Sequence, residues 1–295
     1  MNLWDPKTVR QIMAMFGLNF RRELGQNFLT DPEVIDAIAD ACHPTGDCTV
    51  LEIGPGIGTL TRSLAARCRQ VIALEIDRSL IPVLHYTLAD CPNVTVVSGD
   101  VMQTDLASLL EDAFRAGPVA VCANLPYYIT TPILMKLLES RLPFAGITVM
   151  VQAEVADRLC AGAGGKAYGA ITVALNYYGS AREILSVPAD RFVPAPKVNS
   201  KVTKITLWRE KPFVPKDEEM LFRTVRAAFG QRRKTLANAL SAGFPELGKE
   251  RIARILGEME LPPDIRGERL DIGRFTELSD RLLQACGETE QEDRK

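Results

Sequence analysis

The 295-residue sequence has no surplus of either charge: 35 Lys and Arg stand against 37 Asp and Glu, a net charge of −2. That excludes a chain that binds polyanions simply by being cationic throughout. It leaves room for a local basic groove, because recognition depends on where the charge lies. Histidine occurs only twice, at His43 and His85, and the seven cysteines (42, 48, 68, 91, 122, 160 and 286) include no CxxC pair. Cys42, His43 and Cys48 lie close together, but their spacing matches no zinc pattern, so no metal site is expected. An odd number of unpatterned cysteines inside apolar runs reads as reduced, packed thiols in a cytoplasmic protein. No apolar run approaches the ~20 residues of a membrane-spanning helix, so no membrane partner is expected. The N-terminus lacks a secretory apolar core with a small-residue cleavage site. Asp5 as N-cap and Pro6 at the first helical position describe a short helix ending near Gly17 instead.

What is present is ordinary globular composition, 46% hydrophobic and 24% charged, in a chain long enough for one large domain plus a smaller one. DPEVIDAIADAC (31–42) reads as a helix capped by Asp31. TVLEIGPGIGTLTRSLAARC is a strand, a glycine turn and a helix, QVIALEID a second strand, and SLIPVLHYTLA a helix. NVTVVSGD and VAVCANLPYY are further strands, with the helix TTPILMKLLESRL after them, capped by Thr130 or Thr131. ITVMVQ is a strand leading into EVADRL. Apolar strands alternating with helices imply an α/β fold, a parallel sheet covered on both faces. REILSVP and SKVTKITLW carry charge, as edge or antiparallel strands do.

REKPFVPKDEE (209–219) interrupts this pattern with charge and two prolines. The expected division is therefore an α/β domain over residues 1–208 and an all-helical domain over 209–295, the latter built from EEMLFRTVRAAF, KTLANALSAG, ERIARILGEM and FTELSDRLLQAC. The tail GETEQEDRK is expected to fray.

LEIGPGIGTLT places Gly54, Gly56 and Gly58 between a strand and a helix, where backbone can approach a ligand with no side chain in between. Glu75 ends the next strand, about twenty residues on, where a carboxylate can accept both hydroxyls of a ribose. This pairing suits a dinucleotide or S-adenosylmethionine. Asp100, just after the third strand, can accept a hydrogen bond from an adenine amino group. Three such groups at the carboxyl ends of successive strands lie where open α/β sheets bind ligands. AGAGGKAYG (161–169) fails as a phosphate loop: the first glycine of that motif would fall on Cys160, and Lys166 is followed by Ala167.

The strand VAVCAN ends abruptly in Asn124-Leu125-Pro126-Tyr127. The exocyclic amine of adenine is a poor nucleophile, because its lone pair is delocalised into the ring. Two acceptors taking its two hydrogens favour the pyramidal geometry in which that pair can attack. Asn124 offers a side-chain carbonyl and Leu125 a backbone carbonyl. Pro126 biases Leu125 towards an extended conformation and adds no competing N–H. Tyr127 supplies a flat face for stacking, worth roughly 1–3 kcal/mol per base, which offsets part of the cost of extracting a base from its helix. Catalysis would then be mainly positioning. Tyr128 is expected to pack inward.

RRELGQNFL (21–29), LEIGPGIGTLT (51–61), LEID (74–77), SGD (98–100), NLPYYITTPI (124–133), KAYG (166–169), FVPAPKVNSKV (192–202) and FGQRRKTLANAL (229–240) together resemble the rRNA adenine dimethyltransferase family. The last two segments are the most specific and point to its bacterial small-subunit, kasugamycin-resistance branch rather than to the erythromycin-resistance methylases of large-subunit rRNA. The resemblance implies a Rossmann-like methyltransferase sheet, S-adenosylmethionine as methyl donor, and two adjacent adenosines near the 3′ end of 16S rRNA as substrate, each dimethylated. It also implies a role in ribosome biogenesis, on the immature small subunit, for a protein expected to be a cytoplasmic monomer. Cofactor contacts carry over to Asn27, Leu29, Gly54, Glu75, Asp100 and Asn124, with Gly56 beside them. The N-terminal segment 1–30, holding Asn27, is implied to fold over the cofactor. Asn199 stands where the family often has Asp, and Leu24 where some members have Phe; neither position touches the proposed chemistry.

Arg232, Arg233 and Lys234, with Arg223 and Arg226 earlier on the same helix, read as a basic face that grips rRNA phosphates. Two other activities compete with 16S rRNA methylation: an assembly checkpoint acting mainly by binding, and a large-subunit rRNA adenine methylase. DNA adenine methylation fits less well, since an Asp-Pro-Pro-Tyr type motif and a target-recognition domain are missing.

Overall fold

The computed structural model describes residues 1–21, 24–42, 45–231 and 233–292. The chain divides into two compact units, one of residues 1–156 and 181–207, the other of residues 157–180 and 208–295. The sequence places a single cut near residue 208; segment 157–180 groups with the C-terminal helices.

The first unit opens with α1 (Pro6–Met15), capped by the Asp5 carboxylate, which accepts from the Thr8 backbone N–H at 3.0 Å. The two-residue strand β1 (Phe28–Leu29) and α2 (Pro32–Cys42) follow, with Asp31 Oδ1 accepting from Glu33 and Val34 at the start of α2. Then strands and helices alternate: β2 (Thr49–Ile53), α3 (Thr59–Ala65), β3 (Gln70–Glu75), α4 (Ile81–Thr87), β4 (Val94–Ser98), α5 (Leu106–Ala116), β5 (Val119–Asn124), α6 (Thr130–Glu139), β6 (Gly146–Gln152) and α7 (Ala153–Leu159). After α8 (Ala170–Tyr178) come β7 (Gly179–Val187), β8 (Phe192–Val193) and β9 (Ser200–Leu207).

Seven strands form one sheet in the order β4-β3-β2-β5-β6-β9-β7, and β1 pairs with β8 in a separate two-stranded piece. The pairs β4-β3, β3-β2, β2-β5 and β5-β6 are parallel, and β9 runs antiparallel to β6. This is the α/β architecture that the alternation implied and the Rossmann-like sheet that the resemblance implied, with its two charged strands at the antiparallel end. The order runs outward from β2 in both directions, so the crevice beside the carboxyl ends of β2 and β5 is the switch point at which such sheets bind ligands. The core between the sheet and α2 and α3 is mainly apolar: Val50, Val71, Ala73, Ala120, Cys122 and Met150 on the strands, with Ile38, Cys42, Leu60 and Leu64 on the helices. Cys42, Cys48, Cys68 and Cys122 are buried free thiols, as their apolar settings suggest, while Cys160 is exposed. Among the described residues no cluster of metal-ligating side chains occurs, and no helix is long and apolar enough to cross a membrane.

The second unit is helical: besides α8 it holds α9 (Glu218–Gly230), α10 (Leu236–Gly243), α11 (Gly248–Glu258) and α12 (Ile272–Glu292). Asp217 caps α9 through the Met220 N–H, and Leu221, Val225, Leu240, Phe244, Ile252, Phe275 and Leu278 fill the interior. The segment that failed as a phosphate loop is anchored here, with Gly164 N–H donating to Glu268 O and the buried Tyr168 hydroxyl to Leu270 O.

Four local expectations are corrected. Neither Thr130 nor Thr131 caps α6; Ile129 occupies the cap position, and the Thr130 hydroxyl donates backward to Pro126 O at 2.9 Å. Tyr128 does not pack inward but is 60% exposed, because the turn into α6 carries it away from the sheet. The last helix continues through most of the segment expected to fray, to Glu292. Arg233 and Lys234 lie beyond the end of α9 rather than on it, and Arg223 is engaged elsewhere, bonding Gly243 O and Glu246 and lying over the Phe244 ring. Arg232 lies outside the described residues.

Candidate active site

Strand β2 ends in a glycine turn whose backbone no other residue adopts comfortably: φ is +72° at Gly54, +62° at Gly56 and +88° at Gly58. The two inner positions differ in surroundings. A Cβ on Gly54 would find nothing nearer than Asn124 O at 3.9 Å, so open space lies in front of it. A Cβ on Gly56 would meet the Phe28 ring at 2.7 Å, so here the glycine admits a protein side chain. The turn is tied to the next strand by its backbone. Gly54 N–H donates to Leu74 O, and Gly56 N–H donates to Glu75 Oε2 at 3.2 Å.

Glu75 is 4% exposed, and its second oxygen accepts from Asp77 N–H at 2.8 Å. Burial raises its pKa, and the two backbone donors partly offset that. At the end of β5, Asn124 Nδ2 donates to Asn27 O at 3.1 Å. That bond fixes the amide orientation and leaves Asn124 Oδ1 without a partner among the described residues. Leu125 N–H donates to Met150 O at 3.1 Å, holding the residue as an extension of the sheet, while its carbonyl takes no hydrogen bond among the described residues. Pro126 O accepts from Ile129 N–H and from the Thr130 hydroxyl. The half-buried Tyr127 is fixed at its far end by a 2.6 Å hydrogen bond between its hydroxyl and that of Ser200 at the start of β9. Burial also raises the phenol pKa, so the ring stays neutral.

These elements enclose a cavity whose lining includes Asn27, Leu29, Gly54, Gly56, Glu75, Asn124 and Pro126. Seven of the residues singled out in the sequence thus meet at one place. Leu29 contributes from β1, where it pairs with Phe192 and is otherwise buried in the core. Leu125, Tyr127 and Asp100 do not line the cavity. Leu125 turns its side chain into the core at 1% exposure. Asp100 caps its own turn, Oδ1 accepting from Met102 N–H at 2.8 Å, and Lys136 braces that turn through Met102 O and Thr104 O.

Glu52 was missed in the sequence. It sits on the central strand β2 between Ala73 and Cys122, is 1% exposed, lines the cavity, and has one carboxyl oxygen with no hydrogen-bond partner among the described residues. Burial pushes its pKa up to about 8, against a small opposing effect of the Thr61 hydroxyl, and the nearby Glu75 adds to the rise. The signal was present: an acidic residue in the middle of an otherwise apolar strand, TVLEI.

A separate cleft in the helical unit is lined by Arg233, Thr235, Pro262, Asp264, Ile265, Arg266, Glu268 and Arg269. Among the described residues, Arg233, Arg266 and Arg269 make no ion pair, unlike Arg223, Arg251, Arg274 and Arg281 of the same unit.

Residues 17–275 match the family model for ribosomal RNA adenine dimethylase. The chain belongs to that family. It is a methyltransferase, as its relatives are. Ribosomal RNA small subunit methyltransferase A of Geobacillus thermodenitrificans is 45% identical over 281 residues, covering 94% of this chain and 96% of the relative. The protein of the same name from Bacillus mycoides is 46% identical over 283 residues, with the same coverage. Among solved structures, the 23S rRNA methyltransferase ErmE is 28% identical with a TM-score of 0.68, over 88% of this chain and 100% of that one. A dimethyladenosine transferase from Plasmodium falciparum shares the fold, with a TM-score of 0.75 at 24% identity over 88% of this chain and 98% of that one.

Proposed function

We propose that this dimethylase family member transfers methyl groups from S-adenosylmethionine to the exocyclic amines of two adjacent adenosines near the 3′ end of 16S rRNA, in the immature small subunit. The relatives named for the small subunit, at 45% and 46% identity over nearly whole chains, support that substrate over the large-subunit one of the more distant ErmE. The protein is proposed to act as a cytoplasmic monomer, with the helical unit holding rRNA through the arginine cleft that includes Arg233, and with Arg232 and Lys234 beside it in sequence.

The observation that carries the reading is the corner at the end of β5, where two carbonyl oxygens of adjacent residues, Asn124 Oδ1 and Leu125 O, accept no hydrogen bond among the described residues. In this reading they take the two hydrogens of an adenine amine. Pro126 holds the corner without adding a donor, and Tyr127, pinned by Ser200, offers its ring to the base. No side chain need remove a proton before attack, since the proton leaves after the nitrogen has become cationic. Catalysis is then mainly orientation.

S-Adenosylmethionine, when bound, supplies an electrophilic methyl group on its sulfonium. The residues present fit it: Gly54 leaves open space where a Cβ would stand, and the Glu52 oxygen that has no partner among the described residues gives the cavity an unused polar group. Glu75 would accept the ribose hydroxyls, Gly54 would supply the close backbone with Gly56 beside it, and Asp100, from beyond the cavity lining, would accept from the adenine amine. Asn27, Leu29 and Asn124 would complete the cofactor contacts. In methyl-transfer assays on unmethylated small subunits, Asn124→Ala is expected to lower the rate roughly 10²–10³-fold, the scale of losing one positioned polar group at a reacting centre. A rate within about threefold of the wild type would overturn the assignment.

A further inference from the structure

Asp77 lies outside the group of residues assigned to ligand or substrate, yet it is 4% exposed and both its oxygens are committed. Oδ1 accepts from Ser79 N–H at 3.0 Å, from the Ser79 hydroxyl at 2.6 Å and from Arg21 Nη1 at 3.2 Å. Oδ2 accepts from Gln26 Nε2 at 2.8 Å. Its backbone N–H, meanwhile, holds Glu75 Oε1. Through one residue, the carboxylate at the end of β3 is joined to the N-terminal segment Leu24–Asn27, every residue of which lines the cavity.

The Gln26 amide can take only one orientation in this network. Its Oε1 accepts from Arg21 N–H at 2.9 Å while its Nε2 donates to Asp77. Flipping the amide to suit a changed residue 77 would set its NH2 against the Arg21 N–H. The segment is held at its other end as well, by Asn27 O accepting from Asn124 Nδ2, and Gly25 lies against Pro126. A cavity wall fixed at both ends is pre-organised, so less ordering is left for the ligand to impose.

We infer that Asp77 is a positioning residue: through Gln26 it fixes the Leu24–Asn27 wall of the cavity in register with the Glu75 carboxylate, so that wall and carboxylate meet the ligand as one unit. The inference rests on the reading of this cavity as the cofactor site. Asp77→Asn tests it with little loss of volume. With Asn Oδ1 kept on Ser79, the Nδ2 group faces Gln26 Nε2, donor against donor. The local turn keeps its cap while the tie to Gln26 is lost.

The probe is S-adenosylhomocysteine, with affinity measured by calorimetry. Asp77→Asn and Gln26→Ala should each weaken binding about tenfold, the lower end expected for a hydrogen bond to a charged group. The double variant should be no weaker than the worse single one, because both changes break the same tie. Gln26 is at the surface edge of the network, so its variant keeps the test open if Asp77→Asn folds poorly. Ser79→Ala removes a partner of Asp77 on the other side and should change affinity less than about twofold. A tenfold loss in Ser79→Ala, or additive effects of Asp77→Asn and Gln26→Ala, would mean that Asp77 acts only through its local turn and would overturn the proposal. Glu75→Gln separates the two levels. If it weakens binding while Asp77→Asn and Gln26→Ala do not, the coupling fails and the cavity assignment stands. If Glu75→Gln binds like the wild type, the cavity assignment fails, and the coupling with it.

Discussion

Glu52 shows how a single buried carboxyl can report on the site. Its folded pKa of about 8 lies above the ordinary 4.5, so between those values the folded protein holds a proton that the unfolded chain releases. Its contribution to stability is therefore complete below about pH 4.5 and is lost as the pH rises through about 8. Glu75 is shifted in the same direction by burial and adds to the slope. Glu52→Gln should make the decline in melting temperature over this range shallower, and should melt above the wild type at the alkaline end. Equal slopes in calorimetric scans of the two proteins would show that Glu52 is ionised in the fold. At this scale the sequence was informative where a motif constrained both position and type. Gly54, Gly56, Glu75 and Asn124 all arrive at one cavity. It was silent on Glu52, whose role depends on desolvation by strands and helices distant in sequence. It misjudged Tyr128, because of two adjacent aromatics at a turn only the fold says which is covered.

The elements themselves were legible wherever periodicity and caps agreed. Asp5 and Asp31 each cap the helix that follows them. The long apolar strands fall in the parallel part of the sheet, and the charged strand β9 pairs antiparallel to β6. The start of α6 was misread, because Thr130 satisfies Pro126 O instead of the helix's own N–H groups. The pairing of Phe28–Leu29 with Phe192–Val193, more than 160 residues apart in register, was not legible, since two-residue strands carry no period. That piece matters for the glycine turn: it sets Phe28 against Gly56, where a Cβ would come within 2.7 Å of the ring. Gly56→Ala should therefore cost about 1–3 kcal/mol, from the positive φ together with the clash. Urea unfolding would measure it; a loss below about 0.5 kcal/mol would mean that β1 moves aside freely.

For the whole molecule, a net charge of −2 conceals two specialised regions: the cavity in the α/β unit, and a cleft in the helical unit whose Arg233, Arg266 and Arg269 make no ion pair among the described residues. Composition pointed only to the possibility of a local basic groove, and its members Arg266 and Arg269 lie too far from the 232–234 run for spacing to join them. Arg233→Ala combined with Lys234→Ala should weaken binding to small subunits and lower the slope of log K against log salt by roughly 1–2, one unit or less per lost phosphate contact. An unchanged slope would remove these residues from the interface.

The central claim is the reaction and its substrate. It is tested most directly by incubating the protein with unmethylated small ribosomal subunits and methyl-labelled S-adenosylmethionine, then mapping the labelled nucleotides. The expected product is dimethyladenosine at two adjacent positions near the 3′ end of 16S rRNA, formed roughly 10²–10³-fold more slowly by Asn124→Ala. Label confined to large-subunit rRNA, or no transfer by a protein that still binds the subunit, would contradict it.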